Sequence, residues 1–220
     1  MTLKINSKAP DFTAETSEGK LSFHEWLGDS WGVLFSHPKD FTPVCTTELG
    51  ALAKMKPEFE KRNVKVMGLS VDTVDETSSW LDDINDIAGA KPSFPIIADT
   101  DMNVSKLYNM LPTSEDGSSE GRTALDNETV RTVFIVGPDK KIKLYLTYPM
   151  TTGRNFNEIL RVIDSMLLTS RHPVATPVNW QKGEDVIIKT SVKNEEAKDI
   201  FPDGWKEIKP YLRKVADPSK

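Results

Sequence analysis

The sequence predicts an α/β domain followed by a small C-terminal module, and three features carry that prediction. Short apolar runs rich in β-branched residues alternate with stretches of helical spacing, the pattern of βαβ units. Two later strand-like runs flank the turn Gly137-Pro138-Asp139-Lys140-Lys141 and read as an antiparallel pair. Past the last clear helix come Pro173, Pro177, Pro202 and Pro210, with only short apolar pieces between them.

The run Trp31 to Ser36 and the β-branched run Val64 to Val71 read as buried strands. Between them, Leu49, Leu52, Met55 and Phe59 recur at three-to-four spacing from Thr46 onward, which predicts a helix that Pro57 should kink or interrupt. Thr73 to Asp86 is a second helix, with Trp80, Leu81 and Ile84 on one face. Phe94 to Ala98 then reads as a strand, and Met102, Val104, Leu107 and Tyr108 mark a further helix. The stretch Pro112 to Asn127 is too polar for a core and reads as a mobile surface loop. Val130 to Val136 and Ile142 to Leu146 supply the antiparallel pair. The clearest helix carries Phe156, Ile159, Leu160, Ile163, Met166 and Leu167 on one stripe and ends near Ser170. The expected division is therefore residues 1–170 and 171–220.

With 220 residues, 38% hydrophobic and 28% charged, the chain has the composition of a soluble globular protein and enough length for a stable core. A net charge of −5, without a local Lys/Arg-rich run, argues against nucleic-acid binding. The apolar runs are strand-sized, so no stable membrane insertion is expected, and Met1-Thr2-Leu3-Lys4 does not open a signal peptide. A single cysteine cannot form an intrachain disulfide and suits a reducing compartment, so the expected address is cytoplasmic.

That cysteine, Cys45, follows a predicted strand and opens a predicted helix. Thr42 is placed as its N-cap, Pro43 suits the first helical position and Glu48 lies within the first two turns. Cys45 then sits in the opening turn, where orphan N–H groups and the positive dipole end favour a thiolate. An ordinary capped helix with a buried cysteine is the alternative. Arg131 shares a strand face with Val133 and Ile135, where a buried guanidinium needs an anionic partner such as a thiolate. Arg154 lies near a helix start, where a cation opposes the dipole, and is either a supporting residue beside the site or a surface arginine. His37 is close enough in sequence to hydrogen-bond near the site, but an already ionised thiol needs no general base, so a packed structural role fits it equally.

The segment Pro38-x-x-x-Thr42-x-x-Cys45 resembles the peroxidatic motif of peroxiredoxins. The longer run from Ser36-His37-Pro38 to Glu48-Leu49-Gly50 is similar to the one-cysteine branch of that family. The likeness continues through Thr151-Thr152-Gly153-Arg154-Asn155 and Ala175-Thr176-Pro177-Val178-Asn179-Trp180, covering essentially the whole chain. It implies a thioredoxin-like fold, a mixed central sheet flanked by helices, with a C-terminal dimerisation domain and hence a homodimer. It also implies that Cys45 is the peroxidatic residue, that Thr42 contacts peroxide and thiolate, that Pro38 shields the pocket and that Arg131 positions the peroxide.

The implied reaction reduces hydrogen peroxide or an organic hydroperoxide through a cysteine sulfenic acid. With no second cysteine, an external thiol, glutathione or a thioredoxin-like protein, must recycle it. No metal or other cofactor is expected. Some members of this branch carry a calcium-independent phospholipase A2 activity, which the resemblance would assign here to Ser30, His24 and Asp139. Gly28-Asp29-Ser30-Trp31-Gly32 does spell G-x-S-x-G, but its serine precedes a strand instead of following one. A thioredoxin-fold binding or chaperone-like module that merely retains Cys45 is the non-enzymatic alternative.

Overall fold

Seven strands build the central sheet in this computed structural model, which describes residues 3–112 and 129–220. Apart from Pro112, the loop expected at Pro112 to Asn127 lies outside the described residues.

The first unit ends at Arg154. Its elements are β1 (Thr13–Thr16), β2 (Gly19–Ser22), α1 (Phe23–Leu27), β3 (Trp31–Ser36), α2 (Pro43–Glu60), β4 (Val64–Ser70), α3 (Val74–Ala88), β5 (Ile96–Ala98), α4 (Asn103–Leu107), β6 (Arg131–Val136) and β7 (Ile142–Tyr148). The sheet order is β2-β1-β5-β4-β3-β6-β7. Strands β3, β4 and β5 run parallel through the crossovers α2 and α3, while β6 returns antiparallel beside β3 and β7 pairs antiparallel with β6 at the edge. The architecture is the α/β arrangement that the alternation of apolar runs and helical spacing predicts, and the thioredoxin-like fold that the family resemblance implies.

Strand β6 is buried along its whole length, and β3 is buried except at Trp31, as expected for central strands covered on both faces. Phe35, Leu34, Leu69 and Ile97 have no exposed surface, and burying each such side chain contributes about 1.5–3 kcal/mol. Two close approaches depend on glycine. A Cβ at Gly50 of α2 would lie 2.7 Å from Ala88 Cβ of α3, and one at Gly68 would lie 3.1 Å from the Phe35 ring. Helix α3 begins with a capping box, Thr73 and Glu76 each accepting from the other's backbone N–H. Pro57 does not interrupt α2 as expected: the helix runs on to Glu60, and Pro57's carbonyl accepts from Lys61 N. Only the one amide hydrogen bond that proline cannot donate is forgone.

The second unit, residues 155–220, consists of α5 (Phe156–Arg171), β8 (Val174–Ala175), β9 (Val186–Ile188), α6 (Asn194–Ile200), β10 (Lys206–Lys209) and β11 (Leu212–Val215). Its four-stranded sheet has the order β10-β11-β9-β8. Asn155 caps α5 through Oδ1, which accepts from Asn157 N and Glu158 N. Helix α5 is grouped here, instead of closing the first unit at residue 170, because it is tied to the segments C-terminal to it. Leu168 joins Val174, Trp180 and Val186 in one core, and the Ser165 and Thr176 hydroxyls lie 2.6 Å apart.

Candidate active site

Strand β3 delivers the chain to the site at Ser36, at the carboxyl ends of the parallel strands, where open α/β sheets place their chemistry. His37 to Phe41 then form a short connector before α2. Phe41 has φ 55°, so the chain turns sharply there between Asp40 and Thr42. Thr42 is the N-cap residue and Pro43 takes the first helical position, which puts Cys45 in the opening turn with no exposed surface. The Thr42 side chain does not cap the helix as expected. Its hydroxyl instead donates to the Lys39 carbonyl at 2.8 Å, which leaves the opening N–H groups to an anion at the cysteine.

Arg131, the first residue of β6, reaches the same turn. Its Nη1 donates to Cys45 Sγ at 3.3 Å and to Glu48 Oε2 at 2.7 Å, while Nε donates to the Met150 carbonyl at 2.8 Å. Glu48 lies one helical turn beyond Cys45 on the same face of α2. It also holds Arg154: Nε and the backbone N donate to Oε1, and Nη2 to Oε2. Arg154 Nη1 donates further to the Ser36 carbonyl, and the guanidinium lies 4.9 Å from the Phe35 ring centre. All four side chains are buried.

Burial would raise the Glu48 pKa, but the hydrogen bonds and charge of Arg154, with the charge of Arg131, outweigh it and hold the carboxyl below its ordinary value of 4.5. Burial pushes the Arg154 pKa down; Glu48 opposes that, Arg131 adds to it, and the charge at Cys45 works on the side of Glu48. Within this group two guanidiniums face one carboxylate. The remaining positive charge faces the Cys45 sulfur.

Pro38 is buried beside the turn. His37 is directed away from any role as base: its Nε2 lies 2.6 Å from Asp40 Oδ1 and its ring 5.2 Å from that of Trp80. Asp40 also accepts from Thr77 Oγ1 at 2.6 Å through Oδ2, and its backbone N donates to Asp72 Oδ2 at 2.8 Å. Burial raises the Asp72 pKa; the hydrogen bond from the Asp40 amide works against that rise and the Asp40 charge adds to it. His37, Asp40 and Asp72 have potential metal-ligand atoms within 4.8 Å of one another, and His37 Nε2, Asp40 Oδ1 and Asp72 Oδ2 are engaged within this network.

The residues considered for acyl hydrolysis are not joined. Ser30 donates to Asn63 Oδ1, His24 Nε2 lies 2.9 Å from the Ala9 carbonyl, and Asp139 accepts from Lys143 Nζ and Lys141 N. Among the described residues no hydrogen bond links any two of the three, and Ser30 sits just ahead of β3 with no nucleophile elbow.

Sequence reasoning places Cys45, Thr42, Pro38 and Arg131 in one neighbourhood, with His37, Glu48 and Arg154 around them, but does not identify Glu48 as the shared partner of both arginines. The available signal was its spacing of three from Cys45, since a carboxylate buried on that face requires cations.

The AhpC/TSA family pattern matches residues 5–145, and that of the C-terminal domain of 1-Cys peroxiredoxin matches residues 166–206. Peroxiredoxin-6 of Rattus norvegicus is 52% identical over 225 residues, spanning 98% of this chain and 98% of its own. A solved structure of yeast mitochondrial 1-Cys peroxiredoxin, concerned with thiol resolution via glutathione/thioredoxin systems, has TM-score 0.88 at 53% identity, covering 98% of this chain and 100% of its own. The C45S mutant of peroxiredoxin 6 from Arenicola marina gives TM-score 0.89 at 44% identity, with 100% of both chains covered.

Proposed function

The chain belongs to the AhpC/TSA family as a 1-Cys peroxiredoxin, a thiol-dependent peroxidase, and on that premise we propose that Cys45 is its attacking thiolate, with Arg131 and Thr42 orienting the hydroperoxide. The observation that carries this reading is the Arg131 Nη1 contact with Cys45 Sγ at 3.3 Å, inside a buried group with one guanidinium in excess.

The sulfur attacks the hydroxyl oxygen of ROOH, the O–O bond breaks, and Cys45 becomes the sulfenic acid. The leaving RO⁻ takes up a proton to give an alcohol, or water when the substrate is hydrogen peroxide. Negative charge spreads over sulfur and both oxygens in the transition state, where Arg131 and the opening N–H groups of α2 stabilise it. With its own hydrogen donated to Lys39, the Thr42 oxygen offers lone pairs to the peroxide O–H. Pro38 keeps water from the sulfur. An apolar groove of about 400 Å³, lined by Phe41, Thr42, Pro43, Thr46, Trp80 and Ile87, adjoins the turn and suits the carbon skeleton of an organic hydroperoxide.

Cys45 is the chain's one cysteine, so the sulfenic acid is reduced by an external thiol. One thiol forms a mixed disulfide and releases water; a second restores Cys45 and leaves as a disulfide. Glutathione and thioredoxin systems, the subject of the yeast relative's structure, are the reductants we propose. We assign the enzyme to the cytoplasm, where a reducing poise suits a free cysteine, a placement cell fractionation tests. A homodimer is supported by strand β7, which forms a sheet edge carrying exposed Tyr145 between half-buried Leu144 and Leu146. The phospholipase reading finds no such support in Ser30, His24 and Asp139.

Replacing Cys45 by serine should abolish thiol-dependent peroxide turnover while leaving the circular dichroism spectrum unchanged. Turnover retained by that variant would refute the assignment.

A further inference from the structure

We propose that Asp40, locked by Thr77 and His37, is a positioning residue for the peroxide reaction: it sets the place of the opening turn of α2, and through it the alignment of Cys45 with its donors. The inference rests on the reading of Cys45 as the attacking thiolate.

Asp40 is 3% exposed and stands immediately before the sharp turn at Phe41. A bulky residue at positive φ persists only where the surroundings over-determine it. On the far side of Phe41 that constraint is helix α2. On the near side it is Asp40, held at three points: Thr77 Oγ1 of α3 donates to Oδ2, His37 Nε2 meets Oδ1, and its own N donates to Asp72, two residues past β4. Thr77 is itself fixed, its N donating to the Thr73 carbonyl in the capped start of α3.

The hydrogen-bond roles form one consistent set. Among the described residues His37 Nδ1 is buried without a hydrogen-bond partner, so the ring is satisfied with its proton on Nε2, donated to Asp40. The other tautomer would oppose two lone pairs at 2.6 Å and bury an N–H without an acceptor. Asp40 must then be a double acceptor, which a carboxylate is and an amide is not. Trp80, its ring tilted against that of His37, donates to Thr46 Oγ1 on α2, so the same cluster holds the chain before Cys45, at Asp40, and after it, at Thr46. None of these groups touches the Cys45 sulfur. Their influence runs through the geometry of residues 40–46.

Peroxide reduction needs that geometry, because sulfur, Arg131 and the opening N–H groups must converge on one O–O bond. Alkylation by iodoacetamide needs the thiolate and access to it, but no convergence of donors on an O–O bond. The test measures both second-order rates in Asp40→Asn, Thr77→Val and Thr77→Ser beside the parent protein. Asp40→Asn and Thr77→Val should slow the hydrogen peroxide reaction at least about tenfold, with alkylation changed much less. Thr77→Ser, which keeps the hydroxyl, should restore the peroxide rate. Should Asp40→Asn fail to fold, the Thr77 pair decides alone. Parallel loss of both rates, or peroxide rates like the parent's in every variant, would overturn the proposal. A parent protein unreactive toward peroxide at Cys45 would instead overturn the assignment of Cys45 and this proposal with it.

Discussion

A single nitrogen of Arg131, Nη1, donates both to the Cys45 sulfur at 3.3 Å and to the Glu48 carboxylate at 2.7 Å. The cation is thus held by a permanent anion while it serves a reactive one. Glu48 fixes its direction without neutralising the site, because Arg154 supplies a second guanidinium to the same carboxylate.

Replacing Arg131 by methionine preserves bulk and removes the three hydrogen bonds donated to Cys45, Glu48 and Met150. The second-order rate with hydrogen peroxide should fall about 10²- to 10³-fold, the range for loss of one preorganised charge-stabilising donor. Stopped-flow oxidation checks this, and an unchanged rate would remove Arg131 from the reaction.

Glu48→Gln leaves two buried guanidiniums without their anion, and chemical denaturation should show a loss of about 3–5 kcal/mol. The variant should also lose part of the acid sensitivity. The folded Glu48 pKa lies below 4.5, so below that pH the unfolded state binds more protons and stability rises with pH. This contribution is present above pH 4.5 and is lost as pH falls through the folded value. Denaturation followed from roughly pH 7 down to roughly pH 3 should give a shallower acid slope in Glu48→Gln than in the parent.

Assembly is tested at the β7 edge. Sedimentation velocity at micromolar concentration should show two chains per particle, and Leu144→Lys with Leu146→Lys should shift it to one, since lysines on an edge strand block pairing. A parent protein that sediments as one chain would contradict the dimer.

Much of this was legible in the sequence for identifiable reasons. Strands β3, β4 and β6 are central and apolar nearly throughout, so their runs declare themselves, and Cys45 was placed by the strand before it and by Pro43 at the helix start. The β1–β2 hairpin was not seen, because Thr13–Ser22 is polar and mostly exposed or half-buried. The C-terminal strands were missed because each is only two to four residues long. Thr42 was expected to cap α2, and a competing local bond to Lys39 took its hydroxyl instead. The Glu48–Arg154 pairing spans 106 positions, and no local pattern can announce a partner so far away. Asp40 and Thr77 are hidden for the same reason, each looking like an ordinary loop or helix polar residue until the fold brings them within 2.6 Å.

Recycling is governed by burial. Cys45 has no exposed surface, so reduction of the oxidised sulfur by an external thiol requires local opening of the site. Turnover should depend on added thiol, with a mixed disulfide at Cys45 as the trapped intermediate; turnover that continues without any thiol would contradict it.

The role of Cys45 is tested most directly by the intact mass of the reduced protein after one equivalent of hydrogen peroxide, with and without dimedone. One added oxygen is expected, converted to a dimedone adduct that peptide mapping places on Cys45 and that is absent from Cys45→Ser. An unchanged mass, or a fast disulfide between two copies of Cys45 as the main product, would contradict a sulfenic acid waiting for an external thiol.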